Sequence, residues 1–197
     1  MKIKTFLSLL LFFVVTKSQG QTNYRKVFSS AYPANFYNET AALSTSDNGI
    51  IFCQRATDSL PSTGNGFSII KIDYIGNVQW SSFFAVNDSL SSISETPEDI
   101  VELSDGSFLI LSHFAVGASY IHLIHIDSIG NLLSVKELNQ SGNSSTGYSM
   151  ILDSDGNLLI SGYNSFNVRG LYLKVTPQGN VLWAKSVGGK LADRGAD

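Results

Sequence analysis

The 197-residue chain contains a single cysteine, Cys53, and only four prolines and two methionines. One thiol cannot form an internal disulfide, so burial of apolar side chains must supply the stability. Charged residues make up 15% of the chain and the formal net charge is −3. This balance gives no electrostatic footprint for nucleic acid or an anionic membrane surface. No stretch has the pattern of a long amphipathic helix, which favours an all-β protein of short strands and tight turns.

The N-terminal 20 residues have the pattern of a secretory signal peptide. Lys2 and Lys4 form a basic region, residues 5–16 form an apolar core, and small residues precede a cut before Gln21. The apolar core is shorter than the roughly 20 residues that span a membrane. We therefore expect signal peptide 1–20, export to a secreted or cell-surface location, and no membrane span. Cleavage removes three lysines and no acid, so the net charge changes from −3 to −6.

A unit of about 50 residues occurs three times, and each copy contains two characteristic turns between apolar runs. The first turn has Gly after Asp or Asn, and the second is a Gly-Asn turn. The first turns are at residues 47–49, 105–106 and 155–157, and the second turns are at 76–77, 130–131 and 179–180. Repeats of this period with several short strands are typical of β-propellers and related arrays.

The apolar pattern predicts four strands in each copy. The run after the first turn is apolar at every position in Phe108-Leu109-Ile110-Leu111, so both faces of this strand must be buried. A shorter strand precedes that turn, and the second turn joins a third strand to a fourth. We therefore predict three four-stranded antiparallel meanders, each corresponding to one propeller blade, at about 39–86, 96–139 and 146–188.

The second turn and the strand after it carry a resemblance to a known family. Asp73, Gly76 and Trp80 have the spacing DxxGxxxW, and Gly179 with Trp183 repeats its second half. The pattern resembles the tryptophan-docking repeat of quinoprotein-type propellers and of related bacterial secreted β-propeller repeat proteins. The resemblance implies that the Trp packs against the neighbouring blade. The second copy keeps the turn glycine as Gly130 but has Ser134 at the Trp position.

Three blades are fewer than the four to eight that close a propeller. A fourth-strand pattern without preceding partners occurs at about 24–30, and the start of a further unit occurs at 191–197. We therefore expect the N-terminal portion of a longer protein, an incomplete propeller whose remaining blades follow Asp197.

Candidate metal sites are few. Asp153, Asp155 and Asn157 are spaced like the start of a calcium loop, but the chain continues directly into a strand, so a hairpin turn is expected. His122 and His125 are predicted on opposite faces of one strand, which excludes a shared ion. We expect neither a metal nor a cofactor.

Other polar and aromatic residues have a bland interpretation and a functional one. Cys53 is expected to be buried and inert. Glu98 and Asp99 begin an innermost strand and are expected at a solvated edge, with a polar site at the central channel as the alternative. The ring side chains of Tyr37 and Phe166 lie in loops and are candidate binding residues for a sugar or a protein partner.

Three functions stay open at this point. The first is a non-catalytic secreted or cell-surface module that binds or scaffolds an unknown protein or glycan. The second, implied by the resemblance, is the N-terminal part of an enzyme with its active site at the channel mouth. The third is a carbohydrate-binding module that uses the loop aromatics. A propeller fold alone does not choose between them.

Overall fold

The computed structural model describes residues 40–57, 65–85, 94–116, 118–138, 144–164 and 169–188. These ranges contain twelve strands and no helix. Several predicted features lie outside the described residues. They are the signal peptide, the strand at about 24–30, Tyr37, Phe166 and the unit that begins at 191–197.

The strands form three four-stranded antiparallel sheets, as the repeat predicts. Sheet one contains β1 (Thr40–Ser44), β2 (Ile50–Thr57), β3 (Asn65–Ile72) and β4 (Val78–Ala85). Sheet two contains β5 (Ser94–Glu102), β6 (Phe108–Val116), β7 (Ala118–Ile126) and β8 (Leu132–Glu137). Sheet three contains β9 (Ser145–Leu152), β10 (Leu158–Asn164), β11 (Arg169–Val175) and β12 (Val181–Val187). Consecutive strands pair within each sheet, which gives three propeller-like blades.

The two hairpin turns of every sheet lie at the same end, which we call the lower end. Each second strand ends, and each third strand begins, at the opposite end, which we call the upper end. One parallel backbone pairing, between Asn65 and Ser94, joins sheets one and two at the upper end. Strand β5 contacts both β1 and β9, so the first strands of the three sheets lie next to one another.

Strand β6 of sheet two is buried on both faces, because sheet two lies between the other two sheets. Phe108 and Ile110 of β6 belong to an apolar cluster with Ile51 of sheet one. Leu109, between them in sequence, belongs to a second cluster with Ile160 of sheet three. The uninterrupted apolar run in β6 therefore has the double burial that its sequence predicts.

The six lower-end turns share one backbone geometry. In each, the N–H of the first residue donates to the carbonyl of the fifth, and the N–H of the fourth donates to the carbonyl of the first. The fourth residue is left-handed, with φ of +86° at Gly130, +75° at Gly156 and +62° at Asn48. This is a type I turn followed by a bulge, a common way to close a short hairpin. Asn tolerates a positive φ better than most side chains, which explains Asn48.

Leu109 and Leu159 provide a test of sheet stacking because they occupy equivalent register positions. Leu109 is opposite Val101 and lies between sheets two and three, whereas Leu159 is opposite Ile151 on the outer face of sheet three. We expect Leu109→Ala to lower the free energy of unfolding by about 2–4 kcal/mol, because it leaves a cavity. Leu159→Ala should cost about 1 kcal/mol, because that side chain is only half buried. Urea denaturation measures both, and equal losses would contradict this stacking.

Candidate functional site

The second turn of sheet one shows how the repeat residues Asp73 and Gly76 are used. One carboxylate oxygen of Asp73 accepts the N–H of Ile75 at 3.0 Å and the N–H of Asn77 at 2.8 Å. Gly76 has a φ of +83°. The aspartate thus closes the turn with its own side chain, and the chain reverses into β4 at the position where Trp80 follows.

Trp80 joins sheet one to sheet two at the lower end. Its indole Nε1 donates to the carbonyl of Ser128 at 3.0 Å. Its ring lies on Gly130, where an added Cβ would be 2.7 Å from two ring carbons. Ser82, two residues farther along β4, donates to the Gly130 carbonyl at 3.2 Å. A tryptophan of one sheet therefore packs on the glycine turn of the next.

The junction between sheets two and three uses a different side chain. Ser134 occupies the register position opposite His125, where sheet one has Trp80 opposite Lys71. A Cβ added at Gly179 would lie 2.9 Å from Cβ and from Cγ of Lys136. The aliphatic stem of this lysine therefore covers the glycine turn of sheet three.

Trp183 of sheet three has the same register position as Trp80 but remains 38% exposed. The ammonium of Lys185 lies 5.3 Å from the centroid of its ring. Ile151 and Tyr172 share this outer face and are 58% and 46% exposed. Together with Leu159 these side chains line a groove of about 220 Å³. Within the described ranges, sheet three carries Trp183 on an uncovered apolar face.

Lys71, which is opposite Trp80 in the pairing of β3 with β4, is a buried lysine. The Lys71 side chain is 4% exposed, and its ammonium lies 2.8 Å from a carboxylate oxygen of Asp47. It also donates to the side-chain oxygen of Gln79 at 3.0 Å and to the Ile72 carbonyl at 3.3 Å. The hydrogen bond from Lys71, with a second one from Thr45, holds the pKa of Asp47 well below its ordinary value. Such a charge is tolerated in the interior because it is paired.

His125 and Lys174 occupy the register position of Lys71 in sheets two and three, and each also contacts a residue of its sheet's first turn. In sheet two His125 hydrogen-bonds the hydroxyl of Ser107 through Nε2 at 2.9 Å. In sheet three Lys174 lies 2.6 Å from Asp153 and 3.5 Å from Asp155. The hydrogen bond from Lys174 lowers the pKa of Asp153. Asp153 and Asp155, the two aspartates of the calcium-loop pattern, thus lie in a hairpin turn and pair with Lys174.

The lower end of the first junction contains a groove of about 440 Å³. Trp80 and Phe108 form its aromatic part, with ring centroids 6.5 Å apart and planes tilted by 57°. Its polar part includes the Asp47–Lys71 pair, Gln79 and Glu102. The carboxylate of Glu102 accepts the N–H of Ser46 at 2.7 Å and its hydroxyl at 2.6 Å, across the junction. No local sequence motif predicts this groove, because its residues come from both sheets.

Two carboxylate–histidine pairs lie near the upper end of sheet two. Glu95 is buried, accepts the Ser112 hydroxyl at 2.5 Å, and lies 3.1 Å from Nδ1 of His122. Glu98 lies 2.8 Å from Nδ1 of His113 and sits at a β-bulge of β5. Facing strand segments, 15 to 27 residues apart in sequence, bring these partners together.

Asp99 links sheet two to sheet three instead of lying at a solvated edge. Its carboxylate accepts the Met150 N–H at 2.7 Å and the Ser149 hydroxyl at 3.1 Å. Cys53 is buried in sheet one, and burial raises the pKa of its thiol. His122 and His125 belong to separate contacts. Among the residues that the structure describes, no three His, Cys, Asp or Glu side chains form a group suited to a metal ion.

The described ranges also contain no helix with the length and apolar character of a membrane span.

Gly130→Ala tests the contact with Trp80, and Gly156→Ala is its matched control. Both glycines are left-handed, but a Cβ at Gly156 would have no neighbour within 4 Å. We expect Gly156→Ala to cost about 1–2 kcal/mol of unfolding free energy from backbone strain alone. Gly130→Ala should cost a further 1–3 kcal/mol, roughly, because the rigid indole must move. Equal losses in chemical denaturation would argue against tight packing of Trp80 on this turn.

Asp47→Ser tests the buried lysine pair, with Asp155→Ser as the control at the same turn position. Asp155 is 71% exposed and 3.5 Å from Lys174, so its loss should leave stability almost unchanged. Asp47→Ser should lower the unfolding free energy by about 2 kcal/mol at pH 7. Because the pKa of Asp47 is depressed in the folded state, its contribution is present at neutral pH and lost as pH falls below about 4. Chemical denaturation measured at pH 3 should therefore show a smaller difference in unfolding free energy between Asp47→Ser and the unmodified chain than at pH 7. A difference that does not change with pH would contradict this account.

No protein-family model matches the sequence, and no curated protein matches it. The solved structures that are similar in fold include the following two. One is a protein of unknown function from Bacteroides caccae, with a TM-score of 0.51 and 12% identity, over 85% of this chain and 50% of that chain. The other is an exo-β-1,3-galactanase from Clostridium thermocellum, with a TM-score of 0.55 and 14% identity, over 74% of this chain and 36% of that chain. The likeness concerns the all-β fold, and this chain spans half or less of the length of either protein.

Proposed function

We propose that this chain is part of a secreted or cell-surface β-propeller that acts as a non-catalytic binding or scaffold module. The observation that carries the proposal is the use made of its carboxylates. Asp99 holds sheet two to sheet three, Glu102 holds sheet two to sheet one, and Glu95 is buried against a serine and a histidine. A carboxylate that bridges two sheets has its oxygens engaged in holding those sheets together. These groups therefore support a rigid framework that presents binding surfaces.

The outer face of sheet three supports the completion of the ring by further sheets of the same repeat. Its exposed Tyr172 corresponds in register to Ile69 and Leu123, which sheets one and two bury, and its exposed Trp183 corresponds to Trp80, which packs on sheet two. An apolar face of this kind left in water would promote association. We propose that blades downstream of Asp197 cover it, in the manner of tryptophan-docking propellers.

Export follows from the basic and apolar segments of residues 1–20, with cleavage before Gln21. A location outside the cytoplasm is compatible with the buried position of Cys53, because a buried thiol is protected from oxidation.

Mass spectrometry of the protein recovered from its own cells tests location and extent together. We expect the mature N-terminus at Gln21, and a polypeptide heavier than residues 21–197 because it contains further blades. Leu9→Glu with Leu10→Glu should retain the protein inside the cell, because the signal requires an apolar core. Asn23→Glu, beyond the predicted cut, should leave export unchanged. An intracellular protein that begins at Met1 would contradict the proposed location, and a mass equal to residues 21–197 would contradict the completed ring.

A further inference from the structure

The groove between sheets one and two, described above at the lower end, has the chemistry of a ligand site. We infer that it binds a short neutral saccharide. The inference rests on the proposed binding function and names the ligand class and the place of binding. The groove volume of about 440 Å³ falls within the range of roughly 300–1,000 Å³ that small-molecule sites occupy.

The walls of the groove match the two kinds of surface that a sugar ring offers. A pyranose has an apolar face of C–H groups and a rim of hydroxyls. Trp80 supplies the aromatic surface on which such a face stacks, and Phe108, which is 2% exposed, packs against Trp80 from the core side with its ring centroid 6.5 Å away. Glu102 and Gln79 supply a carboxylate and an amide for the hydroxyls. Each oxygen of Glu102 accepts one hydrogen bond from Ser46, and a carboxylate oxygen has the capacity for a second.

The charges in the groove favour a neutral ligand. The ammonium of Lys71 is neutralised by Asp47 at 2.8 Å, which leaves the negative charge of Glu102. A phosphate or carboxylate ligand would meet that charge without a free cation of the groove to balance it. A purely apolar ligand would have to desolvate Glu102 and Gln79, which costs free energy.

The groove is held in shape before any ligand arrives. The indole Nε1 of Trp80 is fixed to the Ser128 carbonyl, and Glu102 is fixed to Ser46 of the facing sheet. Fixed walls lose little conformational entropy on binding, which favours affinity for a small ligand. The second junction lacks the aromatic wall, because Ser134 takes the Trp position and the stem of Lys136 covers the turn. The site therefore belongs to the first junction.

Fluorescence titration of the full chain tests the inference, with Trp183→Phe so that Trp80 is the remaining tryptophan. The probes are β-1,3-linked galactobiose, chosen because the galactanase is a structural neighbour, and cellobiose. We expect a saturable change in Trp80 emission at about 1 mM sugar or below for at least one probe, with the sugar recovered intact. Glu102→Gln should weaken binding about tenfold, because a charged acceptor of sugar hydroxyls is lost.

Glu137→Gln is the matched control, since Glu137 is an exposed carboxylate on β8 of the same sheet. It should leave the affinity within about twofold of the reference, as expected for a surface charge outside the groove. Equal weakening by the two variants, or no saturable response to either sugar, would overturn the saccharide site. Export and the mature mass do not depend on this groove, so failure here stays distinct from failure of the proposed function. Release of shorter sugars would instead overturn the non-catalytic assignment.

Discussion

Face-to-face stacking of four-stranded sheets is the constraint on which this structure depends. Sheet two is stable because it lies between two neighbours, each of which covers one of its apolar faces. Its second strand has no polar side to turn toward water, so it could not exist as the outer layer of a two-layer protein. The contacts that cross a junction, the indole of Trp80 on Gly130 and the carboxylates of Glu102 and Asp99, fix how neighbouring sheets lie against each other.

At the two junctions, different side chains cover the glycine turn of the following sheet. Trp80 covers Gly130 with a flat ring and anchors it by a hydrogen bond, whereas Lys136 covers Gly179 with a methylene stem. Both exploit the absence of a Cβ on a left-handed residue. The choice has a further effect, because the tryptophan leaves aromatic surface beside the junction and the lysine does not. Differences between repeats thus create local binding surface without altering the framework.

The sequence predicted the framework better than the contacts between its sheets. Turn residues and apolar runs are local signals, and they were sufficient for four strands per repeat and for double burial of Phe108 to Leu111. Asn48 shows the limit of such signals, since its left-handed backbone appears only in the structure. The partners Glu95 with His122, Asp99 with Met150, and Glu102 with Ser46 are 27 to 56 residues apart. No local pattern encodes a contact between sheets, so Asp99 was expected at a solvated edge.

The two ends of the stack are subject to different length constraints. Every lower-end hairpin closes through the same five-residue turn, and the turns that contain Gly130 and Gly179 are packing surfaces for the preceding sheet. The second and third strands of the three sheets are separated in sequence by seven, one and four residues, whereas every lower turn has five. Extra residues between a second and a third strand leave the pairing of those strands unchanged. A single extra residue in the turn of Gly130 or of Gly179 would displace the contact with Trp80 or with Lys136. The fold thereby confines variation in connection length to the upper end of the sheets and keeps the turns at the lower end uniform in length.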